Sequence, residues 1–293
     1  MMIVEAKGER PAAPAQIDEQ ELRDTVSLLS VRRHRFAQAA ENRRVGERIA
    51  MLLADLGYRV SFQGQHRNVV ATPPDAAGRS LTLVCAHYDS VPGTPGADDN
   101  ASGVAGLLAA ARALAGRGAA VGFVAFNGEE DGMIGSADFV TALREQGAHT
   151  VRAAHVLEMI GFTAHRRGSQ RSPINVPLSL PDVGDFIGLL GNAASNALVD
   201  TAVRVASRAV PDLRVIGLKT YFGIDRFLPV LHRSDHAPFW QAGIPAVLWT
   251  DTAEFRNPHY HASTDLPATL DYAFMRRVTE LVVAAASEKT TSV

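Results

Sequence analysis

Two hydrophobic periods alternate along this chain. In ENRRVGERIAMLLADLGY, Val45, Ile49, Leu52 and Leu56 recur at helical spacing and Gly57 follows as a stop, so the segment predicts an amphipathic helix. YRVSFQG and RNVVAT read as short strands, and SLTLVCA as a buried strand that stops at His87. The glycine- and proline-rich loop SVPGTPGADDN comes next, with Asn100 placed to cap the helix ASGVAGLLAAARALAG. AAVGFVAFN is a second continuous apolar run, IGSADFVTALRE is helical, and VRAAHVLEM is the next buried strand. Farther on, GDFIGLLGN and IPAVLWT read as strands and AFMRRVTELVVAAASEK as a packing helix. This alternation predicts an α/β fold with a mixed, largely parallel central sheet and helices on both faces. No Pro/Gly/Ser-rich break divides the series, so residues 1–24 read as a lead-in segment and 25–293 as one domain.

Composition narrows the chemistry. With 46% hydrophobic and 20% charged residues over 293 positions, the chain can bury a sizeable core and is not intrinsically disordered. Its 29 basic and 31 acidic residues leave a net charge of −2, which gives no electrostatic reason to expect nucleic acid or an anionic membrane as partner. A single cysteine, Cys85, excludes an internal disulfide and a thiolate-rich zinc site, so histidines and carboxylates must hold any metal. No apolar stretch reaches the roughly 18 residues of a membrane span, and the charged N-terminus does not read as a signal peptide. The expectation is a soluble, cytoplasmic protein.

Polar residues gather at the carboxyl ends of the apolar strands, the edge where open α/β sheets bind ligands. His87 and Asp89 follow SLTLVCA, Glu129 and Glu130 follow AAVGFVAFN, Glu158 closes VRAAHVLE and Asp251 follows IPAVLWT. Taken singly, each has an ordinary explanation: a His-X-Asp is often structural, and adjacent glutamates usually face solvent. Here the glutamates end an apolar strand, where an unpaired carboxylate is expensive and a bound cation removes the cost. In GADDNASG a helix cap accounts for one aspartate of Asp98 and Asp99 and leaves the other without a role. HRSDHAPFW and FRNPHYHASTD then supply His232, His236, His259 and His261, and imidazole is the preferred companion of carboxylates around zinc.

In order, AHYDS, GADDNASG, NGEEDGMIGS, HVLEMIG, RSDHAPF and NPHYHASTD resemble the motifs of the co-catalytic di-zinc exopeptidases, which include bacterial leucyl-type aminopeptidases and glutaminyl cyclases. The match runs over roughly residues 25–290. The resemblance implies two zinc ions about 3.5 Å apart. His87 and Glu158 would hold one, Glu130 and His261 the other, and Asp99 would bridge them. Asp89 would fix the His87 tautomer from behind, and Asp265 would orient His261. Glu129 would be the general base acting on a metal-bound water, and Tyr260 a donor to the tetrahedral oxyanion. The Asp99–Asn100 peptide is expected to be cis. Many aminopeptidases of the family carry aspartate where this chain has Glu158; the longer side chain keeps the same ligand chemistry.

The function implied is removal of N-terminal residues from peptides by a zinc aminopeptidase, with Glu129 and Glu158 near the substrate ammonium. Phe162, Phe222, Phe239, Trp240 and Phe255 are candidates to line a side-chain pocket, each with core packing as an equal alternative. Arg226, Arg233 and Arg256 are candidate substrate anchors. Asp182, Asp185 and Asp251 are reserve ligands, His236 and His259 neighbours of the site, and His34, His66, His149, His155, His165 and His232 structural. Three alternatives stay open: a one-zinc glutaminyl cyclase, against which Tyr260 speaks because cyclases typically have tryptophan before the final histidine; a hydrolase of small amides; and a non-catalytic binding domain.

Overall fold

The computed structural model describes residues 1–5, 16–146, 150–172 and 181–288. Its strands are β1 (Met2–Glu5), β2 (Arg59–Gln63), β3 (Asn68–Thr72), β4 (Ser80–His87), β5 (Val121–Phe126), β6 (Thr150–Glu158), β7 (Phe186–Gly191), β8 (Arg214–Lys219) and β9 (Ala246–Thr250). The α-helices are α1 (Glu19–Leu29), α2 (Ala39–Asp55), α3 (Gly103–Leu114), α4 (Ile134–Gln146), α5 (Asn196–Ala209), α6 (His236–Gln241) and α7 (Tyr272–Ser287).

One sheet holds every strand, in the order β1-β8-β7-β9-β6-β4-β5-β3-β2. Its centre, β9-β6-β4-β5, is parallel. Antiparallel pairs flank it, β2 with β3 and β3 with β5 on one side, β7 with β9 and β1 with β8 on the other, while β7 and β8 run parallel. The continuous apolar runs of the sequence are this parallel centre: β5 is buried at every residue and β4 at all but the first, because helices cover both faces. Helices α1, α2, α3, α5 and α7 pack over one face, α4 and α6 over the other, each face with its own hydrophobic core. Helix α3 lies close to the sheet because its contact face is small: a Cβ on Gly106 would come 2.8 Å from Ile160 Cδ1.

The mixed sheet with helices on both faces is therefore as expected, but several elements are not legible in the sequence pattern. β8 and α5 were not singled out, and β1 joins the sheet through only four residues paired with β8. Helix α1 buries Leu22, Val26 and Leu29, with the Asp18 carboxylate accepting the Gln20 N–H as its cap. Residue 24, expected to end a lead-in segment, lies inside α1. Among the described residues no helix is long and apolar enough to cross a membrane.

Candidate metal centre

Because β4, β5, β6 and β9 are parallel, their carboxyl ends share one edge, and the candidate residues converge there. His87 ends β4, Glu129 and Glu130 follow β5 in a turn, and Glu158 ends β6. Asp99 comes from the loop ahead of α3, and its peptide bond to Asn100 is cis. His261 comes from the loop after β9.

Asp99 stands in the middle. Its Oδ1 lies 3.3 Å from His87 Nε2 and its Oδ2 3.1 Å from His261 Nε2, so one carboxylate faces two imidazoles. Glu158 Oε2 is 3.4 Å from His87 Nε2, and Glu130 Oε2 is 3.5 Å from His261 Nε2. Asp89 Oδ1 lies 3.5 Å from the other ring nitrogen of His87, as its expected supporting place requires. These contacts are too long or poorly aligned to be good hydrogen bonds: among the described residues, both nitrogens of buried His87, and Glu130 Oε1, have no hydrogen-bond partner. A buried donor without a partner is costly. His87, Asp99 and Glu130 each present a ligand atom within 4.8 Å of the others. Imidazole with carboxylate oxygens is a donor set that fits zinc.

Burial and the neighbouring charges set the protonation of the cluster. Burial works against a charged His87, yet Glu158, Asp89 and Asp99 outweigh it and keep its pKa well above 6.5. For His261 burial again opposes the charge, and Asp99 and Glu130 push the pKa to about 10. Burial, then Asp99, raises Glu130 to about 7. Burial would raise Asp99 too, but His261 and His87 hold it below the usual carboxylate range. Glu129 is pushed well above its ordinary value, mainly by burial and further by Glu158, Asp235 and Glu130.

The ligand loops are held from behind. Asp265 was expected to orient His261; instead its carboxylate oxygens accept the backbone N–H groups of Asp98 (2.8 Å) and Asp99 (3.1 Å). Asn100 accepts the Gly103 N–H at 3.1 Å, as a cap would, and also the Met159 N–H, tying the Asp99 loop to the end of β6. Asp98 does not act as the helix cap that the sequence allowed for one of the two aspartates: it accepts from Gly161 N–H (3.0 Å) and Asn257 Nδ2 (2.6 Å) and faces Asp251. Asp251 in turn accepts the Phe162 and Ala253 N–H groups. This reserve ligand is thus a structural partner of Asp98, and burial lifts its pKa to about 6. Asp182 is exposed and Asp185 pairs with Arg214.

Ser234 was missed by sequence reasoning. Its hydroxyl donates to Glu158 Oε2 at 2.7 Å, and next to it buried Asp235 accepts from Ser136 Oγ at 2.5 Å. A Ser-Asp pair ahead of a short helix reads as a cap, which hides both contacts. Among the histidines, His236 contacts the Leu231 carbonyl and stacks edge-on against Trp240, His259 contacts Thr264, and His155 accepts from Trp249 Nε1. His34 faces Asp131, His66 lies against Arg35, and His232 against Asp225. His165 is exposed, and His149 lies outside the described residues.

A cavity of about 170 Å³ opens beside Asp99, Glu129, Glu130, Glu158, Tyr260 and His261. Its depth is aliphatic, built by Leu190, Ile216, Leu218, Val230, Leu231 and Leu248. This corrects the expected aromatic lining: of the five candidates only Phe255 borders the cavity. Phe239 and Trp240 are buried in the core under α4 and α6, Phe162 packs on His259, and Phe222 is fully exposed. The strands that supply the aliphatic side chains, β7, β8 and β9, point their pleat into the cavity, whereas α6 points its rings into the sheet. Of the three arginines, Arg233 borders the cavity, ion-paired to Glu254 and donating to the Tyr260 hydroxyl at 3.2 Å. Arg256 is buried over the Phe186 ring and bonds to Gln170 and the Phe162 and Phe186 carbonyls, a structural place. Arg226 is exposed and does not border the cavity. The Tyr260 ring stacks on His261, centroids 3.7 Å apart.

Comparison with known proteins agrees with this geometry. The chain is 35% identical to the uncharacterized protein YfbL of Escherichia coli (strain K12), over 93% of this chain and 89% of that one. In fold it is similar to LapB of Legionella pneumophila, with a TM-score of 0.73 at 20% identity over 96% of this chain and 77% of that chain. It is also similar to BSAP, a zinc aminopeptidase from Bacillus subtilis, with a TM-score of 0.56 at 27% identity over 74% of this chain and 48% of that one. The chain spans about half the length of most of the named aminopeptidases and metalloproteases it matches in sequence. The model of peptidase family M28 matches residues 68–286, a span that contains every candidate ligand, and the chain belongs to that family.

Proposed function

We propose that this protein is a zinc-dependent aminopeptidase that hydrolyses the N-terminal peptide bond of substrates with an apolar first residue. The observation that carries the reading is Asp99, whose two oxygens face His87 and His261 while Glu158 and Glu130 flank them. His87, Glu158, Asp99, Glu130 and His261 are the residues that would hold zinc. Zinc bound there supplies Lewis-acid polarisation of the scissile carbonyl and makes water acidic enough to attack near neutral pH.

The chain's own residues account for the rest. Glu129 faces the cavity beside the ligands, raised in pKa by its surroundings, and can take a proton from the attacking water. The water oxygen bonds to the carbonyl carbon, and the Tyr260 hydroxyl donates to the resulting oxyanion. When the C–N bond breaks, Glu129 returns the proton to the leaving amine. Carboxylates at the cavity entrance favour a free ammonium on the substrate, hence exopeptidase action. The aliphatic depth of the cavity receives the first side chain.

The test is hydrolysis of an aminoacyl-anilide panel by zinc-loaded protein, beside Glu129→Gln and an N-terminal glutaminyl peptide. Cleavage of leucyl or methionyl anilide that Glu129→Gln loses while keeping its metal supports the reading. Turnover of the glutaminyl peptide alone replaces it with a cyclase, and inertness of metal-loaded protein removes it.

A further inference from the structure

The sequence VRRHRF, between α1 and α2, lies outside the span matched by the family model and has no part in the mechanism above. Yet its middle residue is one of the largest fully buried side chains of the molecule: Arg33 is 1% exposed. A buried guanidinium must satisfy up to five donors, and Arg33 spends them on the backbone around the metal centre. Nε donates to the Tyr88 carbonyl at 2.7 Å, Nη2 to the Gly96 carbonyl at 2.8 Å, and Nη1 to the carbonyls of Pro95 and Val31. Its own N–H donates to Ser90 Oγ at 3.2 Å. Tyr88 lies between His87 and Asp89; Gly96 opens the loop that carries Asp99. Gly96 sits at φ +61°, and a Cβ there would stand 3.1 Å from both terminal nitrogens of Arg33.

The two residues that follow hold the other ligand turn. Arg35 Nε lies 2.6 Å from Asp131, the residue directly after Glu130. His34 Nδ1 accepts the backbone N–H groups of Phe36 and Ala37, which leaves Nε2 to carry the proton and face Asp131 at 3.4 Å. Arg35 also packs against the turn itself: a Cβ on Gly128 would come 3.2 Å from Arg35 Cδ. One short segment thus touches the loop of His87 and Asp89, the loop of Asp99, and the turn of Glu129 and Glu130. Asp265 grips the amides of Asp98 and Asp99, while Arg33 grips the carbonyls just before them.

We propose that Arg33 is a positioning residue of the metal centre: through its hydrogen bonds to the Tyr88, Pro95 and Gly96 carbonyls it sets the spacing between His87 and Asp99, with Arg35 and His34 bracing the Glu129–Glu130 turn through Asp131. The inference rests on the reading of this centre as a zinc site. Arg33 supplies geometry through donors that go to backbone carbonyls, and its buried charge also faces Asp99, Asp89, Asp265 and Glu130. Loosening it separates the ligands by changing two loops at once, and partners behind the ligands typically matter about 10–100-fold in metal affinity or activity.

The experiment measures zinc affinity by chelator competition, together with kcat, KM and thermal unfolding of metal-free protein, for wild type, Arg33→Ala, Arg33→Lys and Arg32→Ala. Arg32 is exposed and serves as the control. Arg33→Ala is expected to lose about tenfold or more in zinc affinity and in kcat, with KM little changed. Added guanidinium at millimolar concentration should restore part of both, while methylammonium should not. Arg33→Lys keeps the charge without the planar fork and is expected to stay defective. Should Arg33→Ala fail to fold, the lysine variant carries the decision. Zinc affinity and kcat within about twofold of wild type in a folded Arg33 variant overturn the proposal, as does full function in Arg33→Lys. Failure of wild type itself to bind zinc overturns the metal reading instead, so the two failures are distinguishable.

Discussion

Leu218 offers a direct test of whether the aliphatic cavity selects the substrate. It sits on β8, half-buried, at the cavity wall in one cross-strand row with Leu190 of β7, its direct partner, and Leu248 of β9. A leucyl side chain has three more carbons than an alanyl one. At about 0.8 kcal/mol per buried CH₂, a cavity of this lining should favour leucyl over alanyl anilide by about 2.4 kcal/mol, about sixtyfold in kcat/KM. Leu218→Phe adds about three carbons to the wall and occupies the space the substrate would fill, so the ratio should collapse to about fivefold or less, nearly all of it lost from the leucyl substrate. Because Leu218 is only half-buried and lines the cavity, the larger ring can extend into the cavity without overpacking the core. Steady-state kinetics on the two anilides, beside a melting curve of each protein, make the comparison. A wild-type enzyme that prefers charged first residues, or a stable Leu218→Phe enzyme with an unchanged ratio, refutes the assignment of this cavity to the first side chain.

Glu129→Gln keeps the shape of the side chain but cannot take a proton; kcat should fall by about 10²–10⁴ with zinc content, measured by atomic emission, unchanged. Removing zinc should expose a pH dependence whose sign follows from the cluster: in metal-free protein the pKa values of Glu130 and His261 are raised to about 7 and about 10 from ordinary values of 4.5 and 6.5. The stability they confer is therefore full below those ordinary values and drains away as pH rises through the folded ones, so the melting temperature in chelator should decline from pH 5 to pH 9. Zinc needs the same groups deprotonated, so its apparent affinity should climb over that range and the gap between loaded and chelated melting curves should widen; a gap that narrows contradicts the ligand assignment. Asp265→Ala leaves the buried amides of Asp98 and Asp99 without an acceptor, which should cost about 2–5 kcal/mol in denaturant unfolding and weaken zinc binding; a change confined to unfolding would limit Asp265 to stability.

The pattern of hydrophobic and polar positions makes the parallel centre legible, together with the polar residues gathered at its edge. A strand buried on both faces must be apolar throughout, so the polar residue at which each run stops, His87 or Glu158, or that follows within a few residues, such as Glu129, is visible without a structure. The choice of Asp99 and His261 among their neighbours rests on the resemblance of the ordered motifs, not on the pattern. What only the tertiary structure decided are relations among residues far apart that leave no period behind. Asp265 turned out to hold the Asp99 backbone and not His261, because a carboxylate four residues from a histidine can face either, and the closer amides claim it. Apolar residues of one hydrophobic cluster part only at its edge, where Leu190, Leu218 and Leu248 also line the cavity and Phe239 and Trp240 do not, because hydrophobicity drives burial without saying which face of an element meets a neighbour and which meets a void. Arg33, one of three arginines in the four-residue polar run RRHR before α2, looks solvated in sequence. It is buried because the Tyr88, Pro95 and Gly96 carbonyls of two loops converge on it only once β4 and the Asp99 loop have folded beside it.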